Sequence, residues 1–303
     1  MNKKIIVIGS TNLDLVFQTE NFPKPGETIK SKDFSMLSGG KGSNQAIAAS
    51  RLGGNVSFIS KIGNDDFGQR SIKELNLSKV NCDYVFTDHE AVSGVAVILI
   101  NEKGENSIVM APGANNLLSV SDIDNASPII KNAAIILIQL EISIDTVKYL
   151  LKTVASSESK IIFNPAPMHL LDDWMYAKIY LITPNESESE SLTGIKITDI
   201  ETASQAADYF LNKGVKNVVI TLGAKGAFFK NKDEEFHIPA KKVKVVDTTG
   251  AGDVFNGALA VALGESKNWR EIIKFAIAAS TISVGKLGAQ TASPYRSEII
   301  SNN

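Results

Sequence analysis

The sequence predicts an α/β fold, a mostly parallel sheet with helices on both faces. Three observations predict it. Runs that are apolar at every position alternate with longer stretches of helical period along the 303 residues. Strands buried on both faces read this way, and they belong to covered parallel sheets. The composition is 44% hydrophobic, enough to build a sizeable core. Two segments break the alternation, one as short extended pieces and one as a hairpin.

In order, residues 5–8 (Ile-Ile-Val-Ile) read as a buried strand, and residues 13–38, with Pro23, Pro25 and Gly26, as short extended pieces. Residues 44–52 form an alanine-rich helix closed by Gly53-Gly54, 56–62 a strand, and 67–77 a helix. Residues 94–100 and 106–110 flank the turn Asn101-Glu102-Lys103-Gly104 and predict a hairpin. Its first strand is apolar on both faces, so a covering surface is expected: substrate and main domain, or a second subunit. Runs at 134–140, 161–164, 179–183 and 218–222 predict further strands, separated by helices near 143–155, 186–193 and 199–213.

The charge balance excludes several function classes. Charged residues make up 21% and the formal net charge is −2. No basic excess points to nucleic acid, and no polybasic tract to a membrane surface. Cys82 is the one cysteine, which suits a reducing, cytoplasmic setting and excludes an intrachain disulfide. The first apolar run stops at Gly9-Ser10, too short for a signal sequence or a membrane span. His89, His169 and His237 show no metal-ligand spacing.

The strongest chemical signal is Asp247-Thr248-Thr249-Gly250-Ala251-Gly252-Asp253, running into an apolar helical stretch. A helix starting near Ala251 with glycines at its mouth presents bare N–H groups, an anion site suited to a phosphoryl group. Asp253 in the first turn can take a proton from an attacking hydroxyl, or it merely complements the helix dipole. Neither a Walker A loop nor a GxGxxG after the first strand is present.

Weaker signals accompany it. Asn12 and Asp14 face the same way if extended, which suits vicinal hydroxyls; the alternative is a local Asx turn. Gly39-Gly40-Lys41-Gly42-Ser43-Asn44-Gln45 makes a donor-rich helix entry open to close ligand approach. Glu141 ends an apolar strand, as a sugar ligand or as a solvated strand end. Thr221-Leu222-Gly223-Ala224-Lys225-Gly226 ends another, along a nucleotide or as a plain hairpin.

Together these motifs resemble the ribokinase (PfkB) family of carbohydrate kinases across nearly the whole chain. Residues 39–46 resemble its amino-terminal signature, Thr183-Pro184-Asn185-Glu186-Ser187-Glu188 its NxxE motif, and residues 247–253 its carboxy-terminal signature. Residues 9–14, 23–28, 164–167 and 286–290 resemble members that act on ribose.

The resemblance implies a single catalytic domain over 1–303. It would be a three-layer α/β/α sandwich with a small β lid from about 13–38 and 84–112. It implies ATP-dependent phosphorylation of D-ribose at O5, with a related sugar such as deoxyribose as the alternative. Asp253 would be the base, and Gly250, Ala251 and Gly252 the anion hole. Asn12, Asp14, Gly40, Lys41, Gly42, Ser43, Asn44 and Glu141 would hold the sugar. Asn185, Thr221, Leu222, Gly223, Ala224, Lys225, Gly226, Gly252 and Ile277 would line the ATP site. Glu188 would organise Mg²⁺ through water. Asp247 and Thr249, with the backbone near Ser283, Lys286 and Gly288, would hold an activating K⁺. A homodimer through the lid is implied as well. Two positions depart from the family: Ser293 lies one place from the expected cation-binding serine at Ala292, and Ile277 stands where a histidine often meets adenine.

Overall fold

A computed structural model describes residues 3–154, 158–265 and 267–300. Its strands are β1 Lys4–Ile8, β2 Asn12–Gln18, β3 Asp33–Gly39, β4 Asn55–Gly63, β5 Asn81–Asp88, β6 Gly94–Ile100, β7 Asn106–Ala111, β8 Ile135–Ile138, β9 Lys160–Phe163, β10 Leu181–Ile182, β11 Asn217–Thr221, β12 Ala227–Asn231 and β13 Glu235–Ile238. A 9-stranded sheet runs β13-β12-β11-β10-β9-β8-β1-β4-β5, and a 4-stranded sheet runs β3-β2-β6-β7. In the large sheet every neighbouring pair from β11 to β5 is parallel; only the β11–β12 and β12–β13 pairs are antiparallel.

The all-apolar strands are explained by what lies on each face. Ile5 and Val7 of β1, and Ile135 and Leu137 of β8, pack with the helices Lys41–Arg51, Ala251–Gly264 and Trp269–Ser283. Ile6, Ile8, Ile136 and Ile138 point the other way, against the helices Ile144–Val154 and Ile200–Asn212. The two-residue period of a strand thus feeds two cores, one on each side of the sheet. Residue 155, the end of one expected helix, lies outside the described residues. Among the described residues no helix is long and apolar enough to cross a membrane.

The small sheet corrects one boundary. Residues 84–88 were expected in the lid, but they belong to β5, which pairs with β4 at the edge of the large sheet. Half-buried side chains at Tyr84, Val85 and Phe86 pack on the main cores, which draws this segment to the large sheet. The small sheet takes up the chain only at Gly94. The hairpin β6–β7 forms over the expected strands, but Ile100 lies opposite Asn106, so the loop holds residues 101–105, one more than the expected four-residue turn. Its outer strand is exposed throughout, and Phe34, Met36, Ile108, Val109 and Met110 leave apolar surface open.

Candidate active site

Parallel strands deliver polar groups where they end. Ser10 follows β1, Gln139 and Glu141 follow β8, Asn164 follows β9, Thr183 follows β10, and Thr221 closes β11. Carboxyl ends of strands in an open α/β sheet are where ligands bind. A cavity of about 190 Å³ opens there. Its wall includes Lys41, Asn185, Glu188, Thr221, Gly250, Gly252 and Asp253, all candidates from sequence. Asn164, Ala166, Thr183 and Asn256 complete the wall, and none was singled out as a site residue.

The helix Ala251–Gly264 begins where its sequence demands. Gly250 adopts φ 74°, and no side chain caps the helix. Left-handed backbone at that point favours glycine. A Cβ on Gly250 would also stand 2.7 Å from Ala289 Cβ. The Ala251 N–H donates to the Thr248 carbonyl at 3.2 Å. The amides that follow, of Gly252 and Asp253, are the bare donors of this helix start among the described residues. Around an ideal Cβ at Gly252 nothing lies within 4 Å. That glycine therefore answers to no packing need; the empty volume faces the cavity.

Asp253 is only 7% exposed. Its Oδ2 accepts a hydrogen bond from Asn44 Nδ2 and its Oδ1 one from Gln45 Nε2, each at 2.9 Å. Desolvation raises its pKa above the ordinary carboxylate value, against the opposing pull of Lys41 and the two amide donors. The Lys41 ammonium is disfavoured by desolvation, but Asp253, Glu141, Glu188 and Asp14 together hold its pKa above the usual lysine value.

The glycine-rich entry is explained by close contacts. Gly40 has φ 92°, and a Cβ there would lie 2.7 Å from Asn12 N. On Gly39 a Cβ would sit 2.1 Å from Asp14 Oδ2, so its bareness makes room for that carboxylate. Ser43 Oγ turns back to the Gly39 carbonyl at 2.6 Å and accepts from Gln290 Nε2 at 3.1 Å. Glu141 is no solvated strand end: its Oε2 accepts from Ser10 Oγ and from the Lys41 N–H at 3.0 Å.

Asn12 and Asp14 lie in β2 rather than in a turn. Asn12 is buried, and its Oδ1 accepts from Asn115 Nδ2 at 2.7 Å. Asn115 also accepts the Thr11 N–H at 2.9 Å. It therefore latches the start of β2 to the short helical turn Gly113–Leu117 that follows β7. Nothing in the local sequence flags it, because its partners are about a hundred residues away.

Desolvation first, and then Glu141 and Asp253, push the Asp14 carboxyl up to about 7 against the pull of Lys41. Its anion, the form that accepts two hydroxyl protons, fills as pH rises through that value. The KM for sugar should therefore fall between pH 6 and pH 8, and Asp14→Asn should remove the dependence. Measured KM against pH checks this; a flat wild-type profile counts against it.

On the other side of the cavity, Asn185 and Glu188 form a capping box on the helix Glu186–Thr193. One Glu188 oxygen accepts the Asn185 N–H at 2.9 Å, and desolvation raises its pKa. Among the described residues no group of three or more His, Cys, Asp or Glu could hold a metal. A single half-buried carboxylate fits Mg²⁺ held through water and phosphate oxygens.

Leu222 is buried, and Gly223–Lys225 form a short helical turn before β12. Gly226 has φ 100°, and a Cβ would meet the Ile238 carbonyl oxygen at 2.0 Å, so the hairpin itself requires this glycine. Ile277 packs in the core layer with the helix Ala251–Gly264. Leu222, Gly223, Ala224, Lys225, Gly226 and Ile277 are not part of the cavity wall.

Asp247 Oδ1 accepts from the Thr249 N–H and hydroxyl, and Oδ2 from the Gly288 N–H at 2.8 Å. These bonds hold its pKa below the ordinary value against desolvation. The Val246 N–H donates to the Val284 carbonyl at 2.8 Å, so segments 246–249 and 283–288 lie together. Lys286 Nζ pairs with Glu298, which leaves its carbonyl as the group to offer. Carboxylate, hydroxyl and carbonyl oxygens form a donor set suited to a hard cation.

Comparison with known proteins agrees with this arrangement. The model of the pfkB family carbohydrate kinases matches residues 2–296. A ribokinase from Haemophilus influenzae is 40% identical over 300 residues, covering 99% of this chain and 98% of that one. A deoxyribokinase from Salmonella typhi is 38% identical over 291 residues, covering 96% and 95%. The structure of Arabidopsis thaliana ribokinase complexed with ribose and ATP superposes with a TM-score of 0.92 at 33% identity, covering 99% and 98%. With the signature helix start and its buried carboxylate in place, the chain belongs to the pfkB family of carbohydrate kinases.

Proposed function

We propose that this enzyme transfers the γ-phosphoryl group of ATP to O5 of D-ribose, giving D-ribose 5-phosphate and ADP. The observation that carries the proposal is the buried Asp253 carboxylate at the mouth of an uncapped helix start, inside the cavity. Asp253 takes the hydroxyl proton as the sugar oxygen bonds to phosphorus and the bond to the leaving ADP oxygen breaks. Gly250, Ala251 and Gly252 offer the amide field that stabilises charge on the phosphoryl oxygens. Lys41 holds positive charge between the carboxylates and the phosphate path.

Asn12, Asp14, Gly40–Asn44 and Glu141 hold the sugar, and Asn185 and Thr221–Gly226 with Ile277 hold the nucleotide. Glu188 holds Mg²⁺ through water. Asp247, Thr249 and the carbonyls near Ser283, Lys286 and Gly288 hold K⁺, and Gly250 packs on Ala289 beside that segment. When bound, these cations neutralise charge on the phosphates and strengthen the field of the anion hole. Exchange of Na⁺ for K⁺ should raise activity. The exposed apolar face of the small sheet supports a homodimer; sedimentation should show Val109→Lys as a monomer. The near-neutral net charge and single cysteine support a cytoplasmic enzyme without nucleic-acid partners.

Ribose is preferred because Asp14 presents a carboxylate suited to a diol, and because ribokinases are among the close relatives. The second reading is deoxyribose, favoured by the Salmonella typhi relative. Comparing kcat/KM for ribose, deoxyribose, fructose and adenosine decides; a preference outside the pentoses refutes the proposal.

Gly252→Ala tests the anion hole separately. A Cβ there meets nothing in the protein, and alanine suits a helix. Stability should stay within about 1 kcal/mol of wild type, while kcat falls because the Cβ takes the space of a phosphoryl oxygen, by roughly 10²–10³-fold, the scale of losing an oxyanion contact. Full activity in Gly252→Ala would remove the phosphoryl group from this position.

A further inference from the structure

Asp253 is held by a fully buried residue that lies outside the cavity wall. Gln45 is 0% exposed and lies in the helix Lys41–Arg51. Its Nε2 donates to Asp253 Oδ1 at 2.9 Å and to Asn164 Oδ1 at 3.0 Å, which uses both N–H bonds. Its Oε1 accepts from Gln139 Nε2.

The direction of this chain is set by main chain. Asn164 Nδ2 donates to the Thr183 carbonyl at 3.3 Å, and a carbonyl cannot donate in return. Asn164 therefore turns its Oδ1 to Gln45, and Gln45 must present N–H both there and to Asp253. A flipped Gln45 would set an oxygen against the carboxylate and against Asn164 Oδ1. The same strand end is tied to the anion hole: Thr183 Oγ1 donates to Asn256 Oδ1 at 2.6 Å, and Asn256 Nδ2 to the Gly252 carbonyl at 2.9 Å.

Asn44, the other donor to Asp253, is different. Its Nδ2 bond to Asp253 Oδ2 sets its direction, but its Oδ1 is buried without a partner, so no further residue backs it as Asn164 and Gln139 back Gln45.

We propose that Gln45 is a positioning residue for phosphoryl transfer: fixed through Asn164 and Gln139, it clamps Oδ1 of Asp253 and leaves Oδ2 to receive the acceptor hydroxyl's proton. The proposal rests on Asp253 being the base. It adds a division of labour between the two carboxylate oxygens. The clamp also favours the anion, since a hydrogen bond to the charged form lowers its pKa. Lys41, Asp14, Glu141 and Glu188 are the charged groups that act on Asp253. None of these four is a side-chain partner of Gln45, whose bonds go to Asp253, Asn164 and Gln139.

The experiment is the pH profile of kcat/KM, with kcat and sugar KM, for Gln45→Met and Gln45→Glu, using ribose and ATP. Gln45→Met keeps the length and loses the donors. It should lower kcat roughly 10–100-fold through misplacement of the base, with KM for ribose within about twofold. Its acid limb should move up by about one pH unit. Gln45→Glu sets a second carboxylate against Asp253, so its acid limb should move further, with activity returning at alkaline pH. Gln139→Met removes only the support behind Gln45 and should give a smaller displacement in the same direction. It keeps the test open if the Gln45 variants do not fold.

A folded variant with a lowered melting temperature but an unmoved acid limb and near wild-type kcat would overturn the proposal, because that is the signature of a purely structural amide. Asp253→Asn serves as the separate control. If it stays active, the base assignment has failed. If it is dead while the Gln45 variants keep the wild-type profile, only the clamp has failed.

Discussion

Asp253→Asn should abolish phosphoryl transfer and at the same time stabilise the protein. The loss follows from the chemistry. An amide cannot take the proton of the attacking hydroxyl, and kcat should fall by roughly 10²–10⁴. Binding of sugar and ATP should persist, because the substitution keeps shape and volume. The fit is good for a specific reason. The Oδ1 of residue 253 can still face Gln45, and the new NH₂ can face Asn44 once that amide turns over and brings its unpartnered Oδ1 round to accept.

The gain in stability follows from the pKa. Burial raises the carboxyl of Asp253 above its unfolded value. The unfolded chain therefore holds the anion more readily than the folded one. The folded state loses stability as pH climbs from the unfolded pKa to the folded one, and the deficit persists above that. Asparagine carries no such deficit, so the variant should melt higher than wild type at pH 7, with the difference vanishing well below pH 4. Thermal melts at both pH values, beside a coupled ADP-release assay, check the two halves independently. A variant that is inactive and also less stable at pH 7 would mean that Asp253 is held mainly as a structural anion.

Gly42→Ala should damage both fold and activity. An added Cβ would stand 2.6 Å from the Gly9 carbonyl carbon and from Ser10 N. These are main-chain atoms of the β1 exit and cannot turn aside as a flexible side chain would. The helix Lys41–Arg51 must move off the sheet, at about 1–3 kcal/mol, as for other overpacked sites. The same helix carries Lys41, Asn44 and Gln45, so the displacement passes to the base and to the sugar side together. Denaturant midpoints should fall, and kcat/KM for ribose should fall roughly 100-fold, the scale of a misplacement of about 1 Å. Beside Gly252→Ala the contrast is direct. One glycine is required by the protein's own backbone, the other by what enters the cavity. Unchanged stability in Gly42→Ala would show that the helix has slack at its start.

Much was legible in the letters. Strands apolar on both faces implied helices on both faces, and Ile5/Val7 and Ile6/Ile8 do divide between two cores. Gly250-Ala251-Gly252-Asp253 announced a helix start with bare amides, because glycine freedom, an acidic first turn and a following apolar run are local properties. The hairpin 94–111 was equally local, set by turn residues between two β-rich runs. Residues 84–88 were misplaced in the lid, since choosing between two sheets depends on which core covers Tyr84–Phe86.

The sequence by itself thus determined the layered architecture, the family and the identity of the central carboxylate. Tertiary structure alone decided which oxygens and amides meet: Gln45 and Asn44 on Asp253, Asn115 on Asn12, Asn164 and Asn256 around the cavity. The reason is geometric. Periodicity and caps act over a few residues, whereas these partners are about 100–200 residues apart and are brought together only where parallel strands end side by side.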